Sequence, residues 1–174
     1  MLIKKSQVWI ETVIYTLIVL VIIGLLLSIL KPAIQSKQDQ ILLDKSMEMI
    51  QQIDNAIEET KYYGPGNSIP VEFQLKAGQI IINGEDDSLT FLAKTGYLYS
   101  ELNQTITKGK INITTISKGE KTYQVSFKIN YQIDLTWDKK QIEKVFSQSG
   151  TPQKIWVVNN GRNTENIINI DLGA

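Results

Sequence analysis

Glu11 is the single charged side chain in residues 8–30, where it stands among valines, isoleucines and leucines. A carboxylate so placed either reaches water at a membrane surface or meets a cation inside an apolar bundle. An Asp charge at the centre of a lipid-embedded helix costs ~2.5–3.5 kcal/mol, and less toward its end. Other groups offer weaker chemistry. Glu85-Asp86-Asp87 beside Asn83-Gly84 could present hard oxygen ligands to calcium. The alternating donors and distal Glu of an EF-hand loop are missing, so a solvated turn is the expectation. Lys108-Gly109-Lys110 and Lys118-Gly119-Glu120 read as charged glycine turns, and neither resembles a phosphate cradle. Asn103-Gln104-Thr105 and Asn112-Ile113-Thr114 fit the acceptor pattern for N-glycosylation, with an unmodified polar residue an equal reading of each.

The 174 residues include no His and no Cys. That composition excludes disulfides, thiol nucleophiles, Ser-His triads and zinc centres built on those ligands. Lys and Arg number 18 against 18 Asp and Glu. A neutral balance argues against a nucleic-acid partner, which needs a basic face to displace phosphate counterions. No pair of carboxylates is spaced recognisably for acid–base work. The expectation is a protein that is not an enzyme and holds neither metal nor cofactor.

Residues 8–30 must position Glu11, and as a helix they would be ~34 Å long at ~1.5 Å per residue, enough to cross a hydrocarbon core of ~30 Å. The run exceeds the ~7–15 apolar residues of a cleaved secretory signal, and no small-residue cleavage site follows Leu30. A single membrane-spanning helix is expected. Lys4 and Lys5 precede it and a tail of about 140 residues follows, so the positive-inside tendency places the amino terminus in the cytoplasm and the tail outside. Pro32 is a candidate kink, since it removes a backbone donor and crowds the preceding turn. Beyond it, over 33–61, Ile34, Ile41, Leu42, Met49, Ile50, Ile53 and Ile57 recur at helical spacing with charged residues between them. Lys61-Tyr62-Tyr63-Gly64-Pro65-Gly66 supplies the stop.

From Ile69 the period becomes two. Ile69, Val71, Phe73 and Leu75 alternate with polar residues, and Asn83-Gly84 marks a turn. The strongest alternation runs through Tyr123, Val125, Phe127, Ile129, Tyr131, Ile133, Leu135 and Trp137, read as one strand with Ile111 and Ile113 paired to it through a turn at 117–121. Residues 139–146 are expected as a helical turn. Residues 155–158 and 167–172 are expected as a hairpin turning at Asn159-Asn160-Gly161. The fold class is therefore α+β: a long N-terminal helix, then a mostly antiparallel sheet or small sandwich over 69–174.

The segment Lys4-Lys5-Ser6-Gln7-Val8-Trp9-Ile10-Glu11-Thr12-Val13, running directly into the apolar helix, resembles the start of type IV pilin-like proteins, and most closely the archaeal pilins and their archaellin relatives. The resemblance implies a leader over 1–6, cut between Ser6 and Gln7 by a membrane prepilin peptidase, with the mature helix over 7–61. Glu11 would then be the fifth mature residue, pairing with the amino terminus of a neighbouring subunit during filament assembly. Ser6 stands where Gly is commonest in the family, and Gln7 differs from the bacterial Phe or Met. The family also implies partners: the membrane, further copies of the chain, an assembly ATPase and a polytopic platform protein. The alternative is an uncleaved, single-pass anchored binding or adhesion protein, in which Glu11 lies at headgroup level and Trp9 is an interfacial anchor.

Overall fold

The computed structural model describes residues 3–173, with side chains from Trp9 onward. Two compact units result, Met1–Gln38 and Asp39–Ala174, and the division falls inside helix α1 (Ile3–Tyr63). In the first unit the helix holds Pro32 without interruption. Lys4, Lys5, Ser6 and Gln7, the expected leader and cleavage residues, lie outside the residues whose side chains are described.

In the second unit, α1 ends where backbone geometry demands a residue without a Cβ. Gly64 has φ +83°, a left-handed conformation that closes helix C-termini. Asn67 then donates its carboxamide N–H to the carbonyls of Tyr63 at 2.7 Å and Gly64 at 3.0 Å, satisfying groups that the helix leaves open. Leu43, Met47, Ile50, Ile53, Ile57 and Thr60 form a buried stripe at steps of three and four. Ile41, expected on that face, is exposed instead, and the stripe starts with Leu43.

Ten strands follow. The larger sheet has the order β4-β5-β6-β3-β2-β8 and is antiparallel throughout, from β2 (Gln79–Asn83), β3 (Ser88–Thr95), β4 (Thr105–Lys108), β5 (Ile111–Gly119), β6 (Thr122–Asn130) and β8 (Glu143–Ser147). The smaller has the order β1-β9-β10-β7, from β1 (Ser68–Phe73), β7 (Asp134–Trp137), β9 (Gln153–Arg162) and β10 (Ile168–Gly173), with β7 and β10 parallel. One core joins the helical stripe to both sheets. Phe146 of β8 meets Phe73 of β1 and Trp137 of β7 edge-on, ring centroids 5.6 and 5.3 Å apart, bridging the sheets. The α+β class read from the sequence is the fold observed.

Three local expectations are corrected. The alternating run 123–137 is two strands in different sheets. β6 ends at Asn130, Tyr131 N–H donates to the Asp87 carbonyl, and β7 joins the smaller sheet. The alternation survives because Val125, Phe127 and Ile129 before the corner and Ile133, Leu135 and Trp137 after it all enter the same core. Residues 139–146 form no helical turn: Asp138 and Lys139, both at positive φ, make a tight turn, and β8 pairs with β2. The final hairpin turns at 163–167, where the Asn163 carboxamide oxygen accepts the N–H groups of Glu165 and Ile167. Gly161 instead sits inside β9 at φ +89°, beside a register shift against β10.

Candidate functional site

In the first unit the described part of α1 carries seventeen exposed large apolar side chains between Trp9 and Leu30. Fully covering such a side chain is worth ~1.5–3 kcal/mol each. Leaving the set in water would thus forgo tens of kcal/mol, more than the ~5–15 kcal/mol stability of a whole domain. The segment must be covered by something apolar on all sides. Among the described residues one helix is long and apolar enough to cross a membrane, and its apolar window is entirely unburied.

The polar residues of this segment are provided for locally. Thr16 Oγ1 donates to the Thr12 carbonyl at 2.8 Å and Ser28 Oγ to the Leu25 carbonyl at 2.7 Å, so neither hydroxyl needs water. Glu11 is exposed, and so is Trp9, at 72 %. A carboxylate cannot be satisfied by its own helix in this way, because backbone donors inside a helix are already used. Among the described residues no side chain is hydrogen-bonded or ion-paired to Glu11.

The second unit holds several polar clusters that bind the helix to the sheets. Asp39 accepts from the Thr95 hydroxyl at 3.0 Å and the Gly96 N–H at 2.7 Å. Tyr99 donates its hydroxyl to Asp44 at 3.1 Å, and burial with that carboxylate pushes the phenol up to about 12. Lys110, in the β4–β5 turn, donates to Glu58 at 2.8 Å and lies 3.9 Å from Asp54. The ammonium hydrogen-bonded to Glu58 holds that carboxyl below its usual range, while burial pushes Asp54 up despite Lys110. Asp54 Oδ1 and the Tyr131 hydroxyl are buried, and among the described residues neither meets a partner at full hydrogen-bond geometry. Burial, then the facing Asp54 charge, drives the Tyr131 phenol upward.

The remaining candidates resolve differently. Asn83 Oδ1 accepts the N–H groups of Glu85 and Asp86, and Asp87 accepts the Leu135 N–H at 2.8 Å, so this acidic run builds a turn and anchors β7. Among the described residues no group of His, Cys, Asp or Glu is gathered to hold a metal ion. Asn103 is exposed at φ +58° in a turn before β4, whereas Asn112 is half-buried within β5. Sequence reasoning missed the Asp54–Glu58–Lys110 cluster. Carboxylates four apart on a helix are common on solvated faces, and nothing local points from them to a lysine 52 residues beyond Glu58. No family model, curated protein or solved structure matches the chain.

Proposed function

We propose that this chain is a structural subunit of a type IV pilus-like surface filament, anchored in the membrane by one N-terminal helix until it assembles. The observation that carries the reading is the fully exposed apolar segment with a lone carboxylate near its start. The motif Lys4-Lys5-Ser6-Gln7 ahead of Glu11 supports cutting between Ser6 and Gln7 by a prepilin peptidase. Once cut, a subunit carries a new ammonium four residues before Glu11. That ammonium and the Glu11 of a neighbour can neutralise each other where water is scarce, and the unpaired alternative is costly there.

Assembly exchanges lipid contacts for helix–helix contacts. Lipid tails are as apolar as leucine, so the gain comes from close packing and from the charge pair, which sets register. Energy for extraction comes from an assembly ATPase acting through a platform membrane protein. The β domain stays outside the membrane and forms the filament surface. No catalytic role is assigned to the chain.

Amino-terminal sequencing and intact-mass measurement of the membrane-extracted protein test the reading. A mature start at Gln7 is expected. Retention of residues 1–6 would favour the uncleaved anchored binding protein in its place.

A further inference from the structure

One acceptor tripeptide leads into the edge strand of the larger sheet and the other lies within the next strand, and their surroundings differ in ways that decide which can be used. An enzyme that modifies a folded protein must draw the acceptor segment into its own cleft. Only a segment that can leave the surface without opening the core is available to it.

Asn103 meets that condition. It occupies an exposed turn between the isolated bridge Leu102–Thr115 and strand β4. Its own N–H donates to the Thr115 carbonyl at 2.9 Å, and its φ of +58° lies outside any strand conformation. Asparagine tolerates this region better than most residues. Among the described residues its carboxamide makes no hydrogen bond. Thr105, two residues on, opens β4, an edge strand whose four residues are all exposed. Its hydroxyl shares a 2.8 Å bond with Thr114, and β4 is hydrogen-bonded to β5 alone.

Asn112 fails the condition on each count. It sits in β5 between two neighbours, opposite Thr107 of β4 and Lys128 of β6. Its carboxamide oxygen accepts the Thr107 hydroxyl at 3.0 Å. Ile111 and Ile113 flank it, 2 % and 1 % exposed, so lifting this segment would pull both out of the core. Thr114 is half-buried and bonded to Thr105.

We propose that Asn103, and not Asn112, is an N-glycosylation site. The donor class is an oligosaccharide linked through phosphate to a membrane polyprenol. Asn103 Nδ2 attacks the anomeric carbon, the bond from that carbon to the phosphate oxygen breaks, and the lipid phosphate leaves with the electron pair. One amide proton passes to a base of the transferring enzyme, so no oxidant or reductant is needed. The inference rests on the β domain lying outside the membrane, as the function proposed above requires.

The test is glycopeptide mapping of the full chain purified from the cells that make it, with amino-terminal sequencing of the same sample. A saccharide mass on the peptide holding Asn103 and none on that holding Asn112 is expected. Asn103→Gln and Thr105→Val should each abolish it, and Asn112→Gln should leave its occupancy unchanged. A bare Asn103, or a saccharide on Asn112, overturns the inference. A bare Asn103 on chains that start at Gln7 and sit in filaments leaves the proposed function standing. A modified Asn103 on chains that keep residues 1–6 supports the inference and removes the filament.

Discussion

Residues 13–30 and 43–60 of α1 share one backbone conformation and have opposite surroundings. In the first stretch every side chain is exposed, although nearly all are apolar. In the second, a stripe through Leu43, Ile50, Ile53 and Ile57 is buried, and Gln51, Gln52, Asn55 and Glu59 face outward. A helix with one apolar stripe needs one apolar neighbour, and the two sheets supply it. A helix apolar all round needs such neighbours on every side. The amphipathic stretch therefore belongs to the stability of a domain, while the apolar one has the length and composition of a membrane span.

Substitutions separate the two stretches. Ile53→Ala removes a side chain that is 0 % exposed, and it should cost the β domain ~2–5 kcal/mol in denaturant unfolding of the detergent-solubilised full chain. Leu20→Ala, at 60 % exposure, should change the same transition by no more than about 0.5 kcal/mol. Equal effects would mean that the two stretches are not distinct. Gly78→Ala should cost ~1–3 kcal/mol, since Gly78 has φ +77° and an added Cβ would lie 2.5 Å from the Leu92 carbonyl oxygen. A silent Gly78→Ala would contradict the β2–β3 geometry.

Smaller effects sharpen the electrostatics of the helix–sheet contact. Lys110→Met should cost less than about 1 kcal/mol, because the pair with Glu58 is partly solvated and screened. Its pH signature is more telling than its size. Glu58 is held below its usual pKa, so its pair stabilises the fold above the ordinary carboxylate value and is lost as pH falls through the lowered one. Asp54 behaves oppositely. Its carboxyl is pushed up by burial, so the folded state binds the extra proton first and stability declines as pH rises from the ordinary value through the raised one. Asp54→Asn should remove that decline and leave the fold no weaker at neutral pH, in unfolding titrations between acid and neutral pH. A variant that unfolds more readily at neutral pH would show that the Asp54 charge is favourable.

Much of this architecture is written locally in the chain. The apolar run over 8–30, the helix stop at Gly64-Pro65-Gly66 and the Asn83-Gly84 turn each depend on residues within a few positions, and all can be read directly. The corner at Tyr131 could not be read, because the alternation of inward residues stays in phase as the chain crosses between sheets. β8 was hidden for another reason: an edge strand with half-buried positions at Lys144 and Phe146 only carries a weak period, while Ile142, Val145 and Phe146 also fit a helical spacing. Asn160-Gly161 imitated a turn because a bulge and a turn both use glycine at positive φ. At the candidate site, Glu11 was visible from its isolation. The unequal setting of Asn103 and Asn112 required the sheet, because edge and interior strands are set by long-range pairing.

In the proposed function the apolar helix exchanges lipid for other copies of itself, with Glu11 fixing the fit. Electron microscopy of the sheared surface fraction, labelled with antibody against the β domain and compared with membranes, tests it most directly. Labelled filaments from the native chain are expected. Glu11→Val should insert normally in the membrane yet reach the filament fraction at least about tenfold less, the factor that ~1.4 kcal/mol of lost pairing produces. Native protein found only as dispersed molecules in the membrane, or filaments formed equally well by Glu11→Val, would contradict it.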